Sequence, residues 1–362
     1  ILGKDNTPNY TGLKAIVSQT HFSEKWSVPR GYTQKNSTYL KLKPVVLNNI
    51  IYTTDGGSIV QAINAQTGGI IWSEKLNTNV ISGPTIAQGH VILGTDAATI
   101  VALNQANGKQ LWHTTLSGDV LSKPLIVNDR VLAKTIDGNL YAFSLTSGTK
   151  LWKTNHGAPS LILKASSSPV MLNNKLVLVG FSDGKMDAID TKTGHVIWQQ
   201  RVAYANGASD IEQLVDIDAD PIVQGDTVLL ASYQGYVGAL SLSSGQFIWR
   251  QPVSTYKNMI VNDNTIFITD SNDIIWSINK QNGHVNWQQE GLKARGVTAP
   301  TLIDTRLLVG DKTGMLHLMS TKTGKLIGRT QLSGPITIMP CVVNNNVYVI
   351  TNNGKLSRFS VS

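Results

Sequence analysis

Residues 84–112 read PTIAQGHVILGTDAATIVALNQANGKQLW, and this stretch decides the fold. Pro84-Thr-Ile-Ala, His90-Val-Ile-Leu, Thr99-Ile-Val-Ala-Leu and Gln110-Leu-Trp-His are four short apolar runs. Gln88-Gly89, Thr95-Asp96 and Asn107-Gly108 separate them, and such residues supply the positive φ that tight hairpins need. Proline is acceptable at the first position of a strand, where no ladder donor is required. The stretch therefore predicts four antiparallel strands, A to D. No part of the chain has a helical period.

Working outward, the same frame recurs. Trp26, Trp72, Trp112, Trp152, Trp198, Trp249 and Trp287 follow one another at intervals of 38 to 51 residues. Gly68, Gly108, Gly148, Gly194, Gly245 and Gly283 each stand four before a Trp, and a small residue (Ala62, Ala102, Ala142, Ala188, Ala239, Ser277) stands six before each Gly. Pro44, Pro84, Pro124, Pro169, Pro221, Pro300 and Pro340 open units; only the unit ending at Trp287 lacks one. A seventh unit keeps Leu318 and Gly324 but has Gly328 where Trp belongs. Four strands at a period near 40 mean a β-propeller. The Trp rings are expected between blades, each burying about 150–250 Å², with the small residue making room for the ring.

The eighth unit starts at Pro340 and has only three strands before the chain stops, while Glu24-Lys-Trp-Ser27 is an orphan D strand. The expectation is an all-β, eight-bladed propeller over residues 22–362. The N-terminal strand completes the last blade and so hides both sheet edges. Residues 1–21 are expected to be an extended linker.

Composition narrows the function. No run approaches the roughly 20 apolar residues of a membrane helix, so the chain reads as soluble. The N-terminal residues lack the features of a signal peptide, which fits either a cytosolic protein or one whose export signal has been removed. The formal charge is +8 but scattered, which argues against nucleic acid and leaves steering toward an acidic partner or anionic lipid open. Cys341, the one cysteine, sits in an apolar strand pattern and reads as a buried, inert thiol. The seven histidines form no metal-ligand grouping, and neither a G-x-S-x-G elbow nor a Walker loop is present. His195 and His284 occupy equivalent turn positions and are expected to be exposed. No enzyme site and no cofactor are expected.

Function should lie where the repeat is broken. From Trp, or its equivalent, to the next proline the D-to-A connection spans 12 or 13 residues in most units, but 17 after Trp152 and 23 after the adjacent Trp198; an 18-residue link from Trp26 to Pro44 lies on the same face some blades away. These connections share one face of a propeller with the B–C turns, so the two adjacent long ones form a single raised patch. The first carries Pro159-Ser-Leu-Ile-Leu-Lys164, whose apolar tripeptide reads either as a cap on the blade interface or as an exposed anchor for a partner. The second carries Asp210, Glu212, Asp216, Asp218 and Asp220. It reads as a solvated loop, a docking element for basic groups, or a calcium site.

The unit pattern, Pro…Gly…Ala-Leu-Asn…Gly-Lys-x-Leu-Trp, resembles the pyrroloquinoline-quinone-type propeller repeat over residues 22 to 362. That repeat is specific for fold and leaves a quinone-dependent dehydrogenase or a ligand-binding propeller as alternatives. Its dehydrogenases are longer, many carry adjacent cysteines, and their Glu, Asn and Asp constellation is not assembled here. Pro159–Lys164 and Trp198-Gln-Gln-Arg-Val-Ala…Asp210-Ile-Glu-Gln-Leu-Val-Asp-Ile-Asp-Ala-Asp-Pro221 are more closely similar to the BamB family of the bacterial outer-membrane β-barrel assembly machinery. This resemblance implies a non-enzymatic scaffold on the periplasmic face of the outer membrane, anchored through an N-terminal lipidated cysteine in the full-length protein. It implies binding to the POTRA domains of BamA, with nascent outer-membrane proteins as a further candidate partner. The family's contacts map to Leu161, Leu163, Lys164, Asp216 and Asp218. Lys164 departs from the arginine common in the family, and lysine lacks the bidentate fork.

Overall fold

The computed structural model describes residues 10–30, 41–54, 57–156, 167–181, 185–201, 219–231 and 235–362, and all of their regular elements are strands. No helix among them is long and apolar enough to cross a membrane. Eight separate antiparallel sheets form the eight blades. Blade 2 consists of Val80–Ala87, His90–Thr95, Thr99–Asn104 and Gln110–Thr115, close to the four runs read from sequence. Its one addition is Lys41–Leu42, which pairs in parallel with Val80–Ala87.

Closure is as the count of strands requires. Cys341–Val343, Asn346–Ile350 and Lys355–Val361 give blade 8 its inner three strands, and Phe22–Pro29 supplies the fourth. Phe22 pairs with Val361 and Val28 with Leu356. His21 and Ser362 exchange backbone hydrogen bonds of 3.1 and 3.0 Å.

The core is divided among the seams between blades. One apolar cluster unites blades 1 and 2, another blades 2 and 3, and so on around the ring to the seam of blades 8 and 1. Strands B and C are covered on both sides by neighbouring blades, so they read as continuous apolar runs; His90–Thr95 is buried at every position after the first. The outer D strands alternate, as in Gln110–Thr115, where Trp112 is buried and its two predecessors are exposed.

Trp72, Trp112, Trp152, Trp249 and Trp287 each make two contacts that fix the seam. Within its own blade each is the cross-strand partner of the small residue: Ala62 faces Trp72, Ala142 faces Trp152 and Ser277 faces Trp287. Where Gly328 replaces Trp, its partner is the larger Leu318. Across the seam, the ring lies over the C–D turn glycine of the next blade. Trp72 covers Gly108, Trp112 covers Gly148 and Trp249 covers Gly283. The indole Nε1 then donates to the carbonyl three residues before that glycine: Trp72 to Gln105 at 2.9 Å, Trp112 to Leu145 at 2.8 Å, Trp249 to Lys280 at 2.7 Å. These glycines also have φ between +70° and +78°. They are therefore required twice, for backbone conformation and for the absence of a Cβ beneath an indole.

Two seams differ. Blade 8 has no C–D turn, because its C and D strands are the two ends of the chain. A Trp in blade 7 would have no turn to cover, and Gly328 stands there with Thr20 against its Cα. The N-terminal segment runs along this region, with Gln19 N donating to Ile327 O at 2.8 Å and Arg295 Nη1 to Thr11 O at 2.8 Å. At the seam of blades 4 and 5, Gln200 rather than Trp198 contacts Gly245 and donates to its carbonyl. Trp198 packs against the apolar cluster of that seam, between blades as expected.

Candidate functional site

The D-to-A connections and B–C turns are hydrogen-bonded to each other and so share a face. Asp96 N donates to Asn79 O at 2.9 Å, Ile136 N to Asp119 O at 2.8 Å, and Lys312 N to Arg295 O at 3.0 Å. The first long connection leaves blade 3 after Lys150–Asn155 and enters blade 4 before Val170–Met171. The second leaves blade 4 after Val196–Arg201 and enters blade 5 before Ile222–Gln224. Their ends therefore occupy neighbouring blades. Leu161, Leu163, Lys164, Asp216 and Asp218 themselves lie outside the described residues.

At the start of the first connection, His156 stacks flat on Phe181, with centroids 3.8 Å apart and planes 1° from parallel. Its Nδ1 is 2.7 Å from Asp187 Oδ2, and Gln199 Nε2 donates to Asp187 Oδ1 at 2.9 Å. Lys134 Nζ lies 5.6 Å from the same Phe181 ring and donates to Gly180 O at 2.8 Å. Both side chains of the His156–Asp187 pair are 1% exposed, so the pair anchors the base of the connection and offers no accessible base. Sequence reasoning missed this cluster because its members are far apart in the chain.

The ends of both connections are tied together by an arc around the central axis. Lys43, Gly83, Lys123 and Asp220, each directly before an opening proline, line the axial space. Lys123 N donates to Ser168 Oγ at 2.8 Å, Ser168 N to Asp220 Oδ1 at 2.6 Å, and Asp220 N to Asn258 Oδ1 at 2.8 Å. Asn258 Nδ2 returns a 3.0 Å bond to Asp220 Oδ2. Blades 3, 4, 5 and 6 are thus linked by one repeated device, a backbone N–H of one blade to a side chain of the next. Asp220, one of the five acids read as a possible docking or calcium element, is committed to this arc. Ala219 beside it is buried in the seam of blades 5 and 6. Among the described residues no group of three His, Cys, Asp or Glu is placed to hold a metal.

Inside the arc lies a cavity of about 340 Å³ on the axis, walled by seven of the eight blades and reached by Lys43, Lys123, Lys257 and Lys312. Lys257 Nζ is 3.2 Å from Asp273 Oδ1. Burial pushes the Lys257 ammonium down from its ordinary pKa, against the pull of Asp273. Burial also lowers Lys123, with Lys43 adding repulsion, while Asp220 acts in the opposite sense. Cys341 is half-buried beside these lysines, and burial raises its thiol. His195 and His284 are exposed.

The seam geometry, the closure and the continuous eightfold repeat define the class: a propeller built from quinoprotein-type repeats. Within that class, the family model described as outer membrane protein assembly factor BamB matches residues 56–289 and 292–362. The chain belongs to the BamB family. It is 60% identical over 362 residues to the outer membrane protein assembly factor BamB of Legionella pneumophila (strain Paris), covering 100% of this chain and 94% of that one. The Pseudomonas aeruginosa protein of the same name is 41% identical, covering 96% and 92% of the two chains. The crystal structure of BamB from Moraxella catarrhalis superposes with a TM-score of 0.83 at 25% identity, covering 94% of this chain and 100% of that one. The quinohemoprotein alcohol dehydrogenase of Comamonas testosteroni superposes with a TM-score of 0.75 at 14% identity, covering 94% and 76%. That likeness is one of fold alone.

Proposed function

We propose that this chain is a non-enzymatic scaffold in outer membrane protein assembly, acting at the periplasmic side of the outer membrane by docking the POTRA domains of BamA. The observation that carries the reading is the full-length likeness to proteins named outer membrane protein assembly factor BamB, led by 60% identity to the Legionella relative. The architecture supports it, since the lengthened connections after Trp152 and Trp198 spring from adjacent blades on one face. Leu161 and Leu163 act as apolar anchors, Lys164 contributes charge beside them, and Asp216 and Asp218 meet basic groups of the partner. Asp220 is excluded from that role by its position in the axial arc. In the full-length protein an N-terminal lipid holds the propeller at the membrane, and nascent outer-membrane proteins are a second class of partner.

The test is the paired replacement of Leu161 and Leu163 by Ala, with binding measured against purified POTRA domains. Losing a central apolar anchor costs about 2 kcal/mol or more, roughly a thirtyfold loss of affinity. Unchanged affinity in a variant that melts like the parent would reject this docking site.

A further inference from the structure

The axial cavity has a charge balance that the docking face does not explain. Among the described residues that line it are four lysines and two carboxylates, Asp220 and Asp273. Asp273 is engaged by Lys257 Nζ and by Gly296 N and Val297 N, each at 2.9 Å. Asp220 is engaged by Ser168 N and Asn258 Nδ2. Subtracting the Lys257–Asp273 pair leaves Lys43, Lys123 and Lys312 around one carboxylate that already accepts two hydrogen bonds. Among the described residues, none of these three lysines has an ion-pair partner. All three side chains are open to the axis.

Their convergence is a product of the ring. Lys43 and Lys123 stand directly before the opening prolines Pro44 and Pro124 of blades 1 and 3. Gly83 holds the same position in blade 2 between them and contributes no side chain to obstruct the space. Lys312 comes from the B–C turn of blade 7, on the same face. Like charges facing one cavity repel one another, and the repulsion grows as the walls displace water between them. A multiply charged anion relieves that repulsion, and lysine serves phosphate as a point charge. The cavity, about 340 Å³, lies at the small end of the roughly 300–1,000 Å³ range of small-molecule sites.

We propose that Lys43, Lys123 and Lys312 form a binding site at the axial mouth for a small polyanion carrying two or more phosphate or carboxylate groups. None of the three lysines belongs to the 157–166 or 202–218 connections. The anion reaches it from the face that carries the B–C turns, and its charge, rather than a directional donor fork, selects it.

The test uses the whole chain at low ionic strength, with inorganic pyrophosphate and citrate as probes. Calorimetry should give one saturable site. Lysine acetylation followed by mass spectrometry should show Lys43, Lys123 and Lys312 selectively slowed by probe, with Lys322 and Lys325 in the C–D turn of blade 7 unaffected. The combined K43Q/K123Q/K312Q variant should lose at least about tenfold in affinity, about 1.4 kcal/mol, while K322Q/K325Q retains it. Vesicles of phosphatidylglycerol and phosphatidylcholine separate the sources. Protection of the three lysines by these vesicles, beyond that given by phosphatidylcholine alone, identifies a lipid headgroup. Protection by the soluble probes alone identifies a free anion. No saturable heat, or equal slowing of all exposed lysines, overturns the proposal, and the acetylation arm decides the matter on the unaltered chain.

Discussion

Replacing Gly108 by Ala and, separately, Gly89 by Ala isolates the contact that sets the spacing between blades. Both glycines have φ +76°, so both substitutions force an L-residue into the left-handed region at a cost of roughly 1–2 kcal/mol. A Cβ at Gly89 meets nothing within 4 Å, whereas a Cβ at Gly108 stands 2.7 Å from Trp72 Cδ2 and nearer still to Cε3. Relieving that overlap by tilting the indole or shifting the turn adds about 1–3 kcal/mol. It also threatens the bond from Trp72 Nε1 to Gln105 O. Gly108→Ala should therefore be the more destabilising by about 1–3 kcal/mol in urea unfolding followed by circular dichroism. In a Trp72→Leu background the excess should vanish, since nothing then overhangs the turn. Equal losses for the two alanines, within about 0.5 kcal/mol, would refute the claim that the indole reads the next blade's glycine.

Other substitutions test other parts of the ring. Gly328→Trp restores the repeat residue in blade 7, yet should destabilise by about 2 kcal/mol or more, because Thr20 occupies the space and blade 8 has no turn to cover; a melting temperature equal to the parent's would contradict this. Asp220→Ala strands Ser168 N and Asn258 Nδ2, at about 1–3 kcal/mol for each unpaired group, and this loss should appear in unfolding measurements without any POTRA domain present. At Asp311, burial alone would raise the carboxyl, but His317, Thr313 and Arg295 donate to it and hold it well below the usual carboxylate range. A depressed folded-state pKa gives stability that is present above the unfolded value near 4 and is lost as pH falls through the folded one. Melting curves of Asp311→Asn should lie below the parent's at neutral pH, and the gap should narrow only as the pH drops below about 4; a gap independent of pH would remove the charge from the explanation.

The architecture was legible because each blade repeats the same few constraints and errors do not accumulate. Equivalents of Pro84, Gly108 and Trp112 mark the strands of most blades, and the orphan strand around Trp26 has only one incomplete sheet to join. The partner of each Trp was not legible. Gly108 lies four residues before Trp112, which invites pairing within a unit, yet it is Trp72 of the preceding blade that covers it. The signal was nonetheless present: the one unit without a Trp precedes the one blade whose outer turn is missing. The axial lysines were hidden for a different reason. Lys43, Lys123 and Lys312 look scattered along the chain, and only closure of the ring brings them to one axial cavity.

The departures from the repeat share a physical logic. A seam made by an indole over a turn glycine needs an intact C–D turn on one side and a regular D strand on the other. Blade 8 lacks the turn, so the chain substitutes Thr20 and the N-terminal segment. At the seam of blades 4 and 5 the turn glycine of blade 5, Gly245, is present, but Gln200 takes the contact with it. Gln200 is the penultimate residue of its strand, which ends at Arg201, where the long connection begins. A glutamine carries less apolar surface than an indole but reaches the glycine carbonyl from further along the strand, placing the staple beside the exit point. The equivalent residues in other blades, Gln251 and Gln289, make the same bond at 2.7 and 2.6 Å while the Trp two residues earlier covers the ring glycine. The two staples are thus normally doubled, and blade 4 relies on the outer one. On this argument Gln200→Ala should weaken the seam more than Gln251→Ala, because only Gln251 is backed by an indole. Urea unfolding of the two variants would show the difference, and a larger loss for Gln251→Ala would mean that Trp198 holds the seam unaided.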